Sequence, residues 1–327
     1  MKWNCCHSAA QGQSHRHTGS PCQDRTWWEE SDGVTAAALA DGAGYAAHAE
    51  AGAETAVRTV CTHITGNFDR IITNPDAGAV GREILDVLTD ALDVKARELG
   101  TDRSQLACTL QAVGIRNGRA FLIHIGDGVI GYTDALSGKT GVLSAPDNGV
   151  YKNHTTFVTS PDVSDKMRLY RCSTEKIGSF LLMSDGSADS LYVKHRNTLN
   201  SLLEPLALVC SMQTPEASSA FLDACLREQL IPRTDDDCSL LIAAQSMTGE
   251  RCLKTDPLFR RDIYRTSSSK ACRKLNTVLS LCAEKPLTAK QICRLTHTRR
   301  EKVQRRLKRL ISSGVITCSR GRYSSVS

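Results

Sequence analysis

Aspartates recur in four short strings of this chain: Gln23-Asp24, Ala40-Asp41-Gly42-Ala43-Gly44, Ser184-Asp185-Gly186 and Asp235-Asp236-Asp237-Cys238-Ser239. An apolar run of strand type sits against each of the last three: Ala36 to Ala40, Phe180 to Met183 and Ser239 to Ala244. A carboxylate at the end of a buried strand is costly unless its charge is compensated. Several together point to a shared cation. All-oxygen donors, carboxylates plus a nearby backbone carbonyl, suit the hard ions Mg²⁺ or Mn²⁺ and leave positions for water. A single Asp-Gly is commonly only a turn, so the ordered recurrence after apolar strands carries the reading.

The elements that must hold these residues mix strands and helices. Val34 to Leu39, Cys108 to Ile115, Ala120 to Ile125, Phe180 to Met183 and Ser239 to Ala244 are short, apolar or alternating, and read as strands. Asn117-Gly118 between two of them marks a tight hairpin. Ala46 to Ile64 and Gly81 to Leu99 have helical spacing, the second with Ile84, Val87, Leu88, Ala91, Leu92, Val94 and Leu99 mostly on one side. Hairpins interrupted by helices favour antiparallel sheets covered by helices over a doubly wound parallel fold.

Charge divides the chain. Its total is +6, but residues 257–327 hold 18 Lys and Arg against three acids, a net +15 that leaves −9 for residues 1–256. Such asymmetry predicts two domains with different partners, the basic one a candidate for nucleic acid. Opposite charges would also permit the two to dock. No stretch approaches 18 continuous apolar residues, so no membrane span is expected. The start of the sequence lacks the pattern of a signal peptide, and the 14 cysteines fall mostly in apolar runs, which reads as reduced and buried thiols in a cytoplasmic protein.

The series Gln-Asp, Asp-Gly-x-Gly, Cys-Thr-Leu (108–110), Gly-Asp-Gly (126–128), Ser-Asp-Gly and Asp-Asp-x-Ser resembles the metal-dependent type 2C serine/threonine protein phosphatases, especially their compact bacterial branch, over roughly residues 3–244. The resemblance implies an α+β fold, a four-layer α-β-β-α sandwich of two antiparallel sheets with two Mg²⁺ or Mn²⁺ ions at one end. It implies that Asp41 bridges both ions, that the Gly42 carbonyl completes the second, and that Asp185 and Asp236 serve the first. Asp24 would act chiefly through ion-bound water, and Asp237 would support the site where many members carry Asn. The implied reaction is attack on a phosphoserine or phosphothreonine phosphorus by water that the two cations activate, without a covalent phosphoenzyme.

Three positions depart from the best-known members: Gln23 for Glu, Ala43 for a His proposed as general acid, and Gly19 for a phosphate-binding Arg. Ser14-His15-Arg16-His17 supplies substitutes: Arg16 could hold phosphate and His15 could shuttle protons, against the plainer reading of an exposed histidine and a solvated charge. Cys5-Cys6-His7 reads as a buried strand rather than part of a zinc site. Asp127 reads as support for its loop, and Cys108-Thr109-Leu110 as packing beneath the site.

Beyond residue 246 the pattern weakens and then tightens. Residues 1–246 form the expected catalytic domain, 247–270 a linker, and 271–327 a small domain. In the last, Lys274 to Ala283 is helical, Thr288 caps a helix through Leu295, and Thr298 caps a third, Arg299 to Ser313, ended by Gly314. Val303, Leu307, Leu310 and Ile311 would form its buried stripe. Val315 to Tyr323 suggests a hairpin. Three helices and a hairpin resemble winged helix-turn-helix domains, which implies duplex DNA as a partner of Arg299, Arg300, Lys302, Arg305, Arg306, Lys308 and Arg309 on the third helix and of Arg320 and Arg322 on the wing. A protein-binding module with a solvated basic face is the alternative there. For the whole chain the expectation is a phosphatase acting on phosphoproteins. The rival is a DNA-binding regulator whose phosphatase-like domain only senses a phosphorylated partner.

Overall fold

Val34–Ala40 is buried along its whole length, so both of its faces must be covered. In the computed structural model, which describes residues 2–146 and 155–326, Ala36, Ala38 and Ala40 face a helical layer while Ala37 and Leu39 face a second sheet. Period-two alternation produces this division.

In chain order the first elements are β1 (Trp3–Ala10), α1 (Gln13–Thr18), β2 (Arg25–Ser31), β3 (Val34–Ala40), α2 (Ala49–Thr73) and α3 (Ala77–Leu99). Strands β4 (Leu110–Arg116), β5 (Arg119–Ile125), β6 (Val129–Asp134) and β7 (Thr140–Ser144) follow, then α4 (Val163–Lys166), β8 (Arg168–Ser173) and β9 (Ile177–Met183). Next come α5 (Asp185–Leu191), the short pair β10 (Tyr192–Val193) and β11 (Thr198–Leu199), α6 (Leu203–Met212), α7 (Pro215–Cys225) and β12 (Cys238–Gln245). The C-terminal segment carries α8 (Gly249–Lys254), α9 (Pro257–Ile263), α10 (Ser269–Glu284), β13 (Leu287–Thr288), α11 (Ala289–Leu295), α12 (Arg300–Ser312), β14 (Ile316–Ser319) and β15 (Arg322–Ser325).

Two antiparallel sheets, β1-β12-β9-β6-β7 and β2-β3-β4-β5-β8, stack face to face around Leu39, Val113, Leu122, Phe180, Leu182 and Leu241. Helices α2 and α3 cover the outer face of the second sheet, and α5, α6 and α7 that of the first. The result is the expected four-layer α+β sandwich. The five strands read from sequence are present, and the β4–β5 hairpin turns at Asn117-Gly118 with positive φ at both residues, as a tight hairpin requires. The helix α3 buries Ile84, Leu88 and Leu92 but exposes Val94 and Leu99, which lie off the core-facing stripe. No helix among the described residues is long and apolar enough to cross a membrane.

Several expectations are corrected. Cys6 of β1 and Cys210 of α6 form a disulfide, while the other 12 cysteines are free. The expected linker at 247–270 instead contains α8 and α9, with Met247, Cys252, Ile263 and Tyr264 buried. Helices this short show too little periodicity to be read locally. Thr298 does not cap α12; its hydroxyl donates to the Thr296 carbonyl, and Arg299 occupies the cap position without a side-chain bond. Ile311 is 42% exposed, leaving Val303, Leu307 and Leu310 as the buried stripe. Thr288 does cap α11, with Gln291 completing a capping box.

The C-terminal segment has its own core, built from α8 to α12 and joined by Leu208 and Met212 of α6. Its strands order as β13-β15-β14. Backbone bonds from Met247 to the Ser211 carbonyl (2.7 Å) and from Asp256 to the Leu136 carbonyl (2.9 Å) fasten it to the sandwich. Apolar packing and backbone bonds, rather than opposite net charge, make this contact.

Candidate active site

Five strand ends meet at one end of the sandwich. β1 ends at Ala10 opposite the start of β12 at Cys238, and Arg25, which opens β2, pairs with Ala40, which closes β3. β9 ends at Met183 opposite Leu240. Antiparallel pairing thereby brings Asp24, Asp41, Asp185 and Asp236 to the same edge, because each sits just beyond the end of one of these strands.

Asp41 is directed by its neighbour strand. Its N–H donates to Thr109 Oγ1 at 3.0 Å, and its carbonyl accepts from Thr109 N–H at 2.8 Å. Gly42 then bridges to Cys108 in the antiparallel sense. Thr109 is thus a positioning residue, which local sequence did not reveal: the bond depends on the β3–β4 register. Cys108 and Leu110 pack in the core as expected, and Thr109 adds this contact to the packing.

The four carboxylates share one edge, with Asp24 buried, Asp41 and Asp185 partly buried and Asp236 exposed at its rim, and they repel one another. Asp41 is pushed well above the usual carboxylate range, first by burial and then by the charges of Asp24, Asp185 and Asp236. Burial lifts Asp24 to about 7, although Ser239, Asp41 and Ser184 lie close enough to ease its charge. Asp185 rises to about 6 through burial, then Asp127 and Asp236, while the Gly186 N–H eases it. Asp236 is raised by burial too, against a 2.8 Å bond from the Asp237 N–H. Both oxygens of the Asp24 carboxylate, Gln23 Oε1 and Ser239 Oγ are buried without a well-formed hydrogen bond among the described residues. Buried acceptors left so are costly unless something else satisfies them. Among the described residues no group of three or more acidic, His or Cys side chains is placed, as the side chains stand, to hold a metal ion. The donor set is nevertheless all oxygen and strongly acidic, which fits a hard divalent cation.

Asp237 acts differently from its neighbour. Its Oδ1 accepts from Gly12 N–H at 2.7 Å, and its Oδ2 accepts from Gln23 N–H at 2.6 Å and stands 2.9 Å from His15 Nδ1. One buried carboxylate therefore pins the β1–α1 turn and the approach to Asp24. The turn passes so close that a Cβ on Gly12 would meet the Asp236 carbonyl carbon at 2.3 Å. Asp235 is exposed, and its backbone carbonyl accepts from Ser14 N–H.

His15 is thereby brought beside Asp236 and Asp237, whereas Arg16 is exposed and makes no side-chain hydrogen bond among the described residues. Asp127 accepts from the Thr155 hydroxyl and also adds to the charge around Asp185, so it borders the site as well as supporting its loop. Gly19 caps α1 with φ of 75°, a left-handed conformation that a side chain resists, which accounts for glycine there. Ala43 is buried among Ala46, Ala49 and Ala107 and offers no proton.

A family model described as Protein phosphatase 2C matches residues 11–230. The chain belongs to the protein phosphatase 2C family. With that membership it is a protein serine/threonine phosphatase, a phosphoric monoester hydrolase. Among solved structures it is similar to a bacterial serine phosphatase, at a TM-score of 0.52 and 14% identity over 74% of this chain and 98% of that one. The serine/threonine phosphatase Stp1 from Staphylococcus aureus gives a TM-score of 0.52 and 15% identity over 76% and 96% of the two chains. A C. elegans sex determining protein gives 0.52 and 15% over 75% of this chain and 65% of its own. At these identities the likeness establishes the sandwich alone. A search of curated proteins found no match.

Proposed function

We propose that this protein phosphatase 2C member hydrolyses phosphoserine and phosphothreonine in proteins with two Mg²⁺ or Mn²⁺ ions at the acidic end of its sandwich. Asp41, flanked by Asp24, Asp185 and Asp236, is the observation that carries this reading: its charge is opposed by burial and by three neighbouring carboxylates, and a cation lets them ionise together. Asp41, Asp185 and Asp236 would hold the ions directly, joined by the Gly42 carbonyl, and Asp24 would act through water. Bound there, such ions supply water activation and neutralise charge on the phosphoryl group.

The chain's own residues supply the rest. With His15 as the imidazolium, its Nδ1–H donates to Asp237 and its Nε2–H gives its proton to the departing seryl or threonyl oxygen, in place of the residue missing at Ala43. Arg16, on the same helix and free of other partners among the described residues, captures the phosphoryl oxygens as the phosphopeptide arrives. Phosphate release from a phosphothreonine peptide, titrated with Mn²⁺ in wild type and Asp41→Asn, tests the assignment. Full activity of the variant at saturating metal would remove it.

For the C-terminal segment we propose a winged helix that binds duplex nucleic acid. The order α10, β13, α11, α12, β14, β15 with the sheet β13-β15-β14 supports it, with α12 as the groove-entering helix and Arg320 and Arg322 at the hairpin. Arg299, Arg300, Lys302, Arg305, Lys308 and Arg309 are exposed, and Arg306 is half-buried beside Thr298. Duplex affinity that falls steeply as salt rises is the expected signature.

A further inference from the structure

The strands of the first sheet have differently occupied ends. Ala10, Met183 and Cys238 lie at the acidic end, next to the site carboxylates. At the other end the C-terminal segment is fastened: Ser246 N–H donates to the Lys2 carbonyl at 2.9 Å, and the Arg251 guanidinium spans the carbonyls of Gln245 and Gly178. The turn after β6 joins it through Leu136. β12 runs the whole way between, and at about 3.3 Å per residue its eight residues separate the two ends by about 26 Å.

Charge also differs between the two parts of the chain. Residues 257–327 carry a net +15 and the remainder −9. None of Arg299, Lys302, Arg305, Lys308, Arg309 or Arg320 pairs with a carboxylate among the described residues, although 12 ion pairs form elsewhere. Along α12 Ile311 is the one large apolar side chain that is exposed. A protein interface is organised around a buried apolar centre, whereas a phosphate backbone is gripped by distributed cations.

We infer that the enzyme dephosphorylates proteins while its basic pole is held on duplex nucleic acid, the two sites being occupied together and independently. The inference rests on the duplex-binding reading of the C-terminal segment. The acidic end repels the duplex phosphates, and the docked seam keeps the basic face at the far pole, so the duplex leaves the catalytic cleft open. The favoured substrate is then a phosphoprotein bound to the same duplex, whose phosphorylated residue lies on a flexible segment of roughly ten residues or more, enough to span the separation. Sharing one duplex raises its effective concentration to the millimolar range.

The test uses the full chain with Mn²⁺, a 20-base-pair duplex, a short phosphothreonine peptide, and the same peptide attached to the duplex through a flexible linker. Saturating duplex is expected to change kcat/KM for the free peptide by less than twofold. The attached peptide at nanomolar concentration is expected to turn over at least tenfold faster than the free one, an advantage that excess unattached duplex abolishes. Replacing Arg305 and Arg306 with Ala should shrink the advantage in step with the lost duplex affinity. Competitive inhibition of the free peptide by duplex would show overlapping sites and overturn the inference while leaving duplex binding intact. Duplex binding without faster turnover of the attached peptide would overturn it equally. Absence of duplex binding at low salt, with capture of a polyglutamate peptide instead, would overturn the nucleic-acid reading and the inference with it.

Discussion

His15 Nδ1 stands 2.9 Å from Asp237 Oδ2, and the same carboxylate collects the N–H groups of Gly12 and Gln23. A residue at the start of β12 thus holds two loops from the beginning of the chain, including the one that ends in Asp24. Asp237→Ala should lower stability by about 3 kcal/mol, because two buried N–H groups and the half-buried His15 lose a charged acceptor. It should also reduce kcat well below what the unfolded fraction accounts for. Urea titration beside phosphate release at a temperature where the variant is folded separates the two effects; unchanged kcat would place the loops outside the mechanism.

In the metal-free protein the site carboxylates should withdraw stability as pH rises. Burial raises the folded-state values of Asp24 to about 7 and Asp185 to about 6, above their ordinary 3.8. Between about pH 4 and pH 7 these carboxylates therefore bind more protons in the folded state than in the unfolded one and withdraw stability, while His7, His63 and His124, held below their ordinary value by burial, act in the opposite direction. In chelator, the melting temperature of Asp41→Asn should gain on that of the wild type as pH rises over this range, because a repelling charge is removed. Added Mn²⁺ should reverse most of the loss. Identical pH dependence of melting temperature in the chelated wild type and Asp41→Asn would contradict the electrostatics of the site.

Thr109 offers a cleaner probe of positioning than the carboxylates. Thr109→Val keeps the shape but removes the oxygen that accepts from the Asp41 N–H, and should cost about 1–3 kcal/mol. The apparent Mn²⁺ requirement should rise about tenfold with a smaller fall in kcat at saturating metal, and Thr109→Ser should restore both. Equal metal dependence in all three proteins would leave the hydroxyl a structural role only.

Truncation after residue 246 should separate catalysis from stability. The cut removes Met247 and Arg251 from the far pole and uncovers Leu208 and Met212. The fragment should melt several degrees lower and aggregate more readily, while each folded molecule retains near-normal turnover of a short phosphopeptide, since the acidic end is untouched. Loss of turnover in a soluble, folded fragment would reveal coupling between the poles.

Much of the site is legible in single segments. Asp41, Asp185 and Asp236 declare themselves because an apolar strand with period-two alternation is a local pattern, and an acid at its end stands out against it. The same locality makes the β4–β5 turn and the Thr288 cap readable. Helices α8 and α9 escape such reading, since each is under two full turns and its buried residues are covered partly by α6 and α10.

The amino-acid sequence by itself determined the elements, the acidic strings at their ends and the division of charge between the two parts of the chain, because each depends on side chains that are neighbours along the chain. Only the tertiary structure decided that Thr109 directs Asp41, that Asp237 rather than Asp236 anchors the loops, that Cys6 meets Cys210, and that the basic segment docks at the pole away from the carboxylates. These relations join residues far apart in the chain. They arise from the register of antiparallel strands, which is selected when every buried face finds its partner at once.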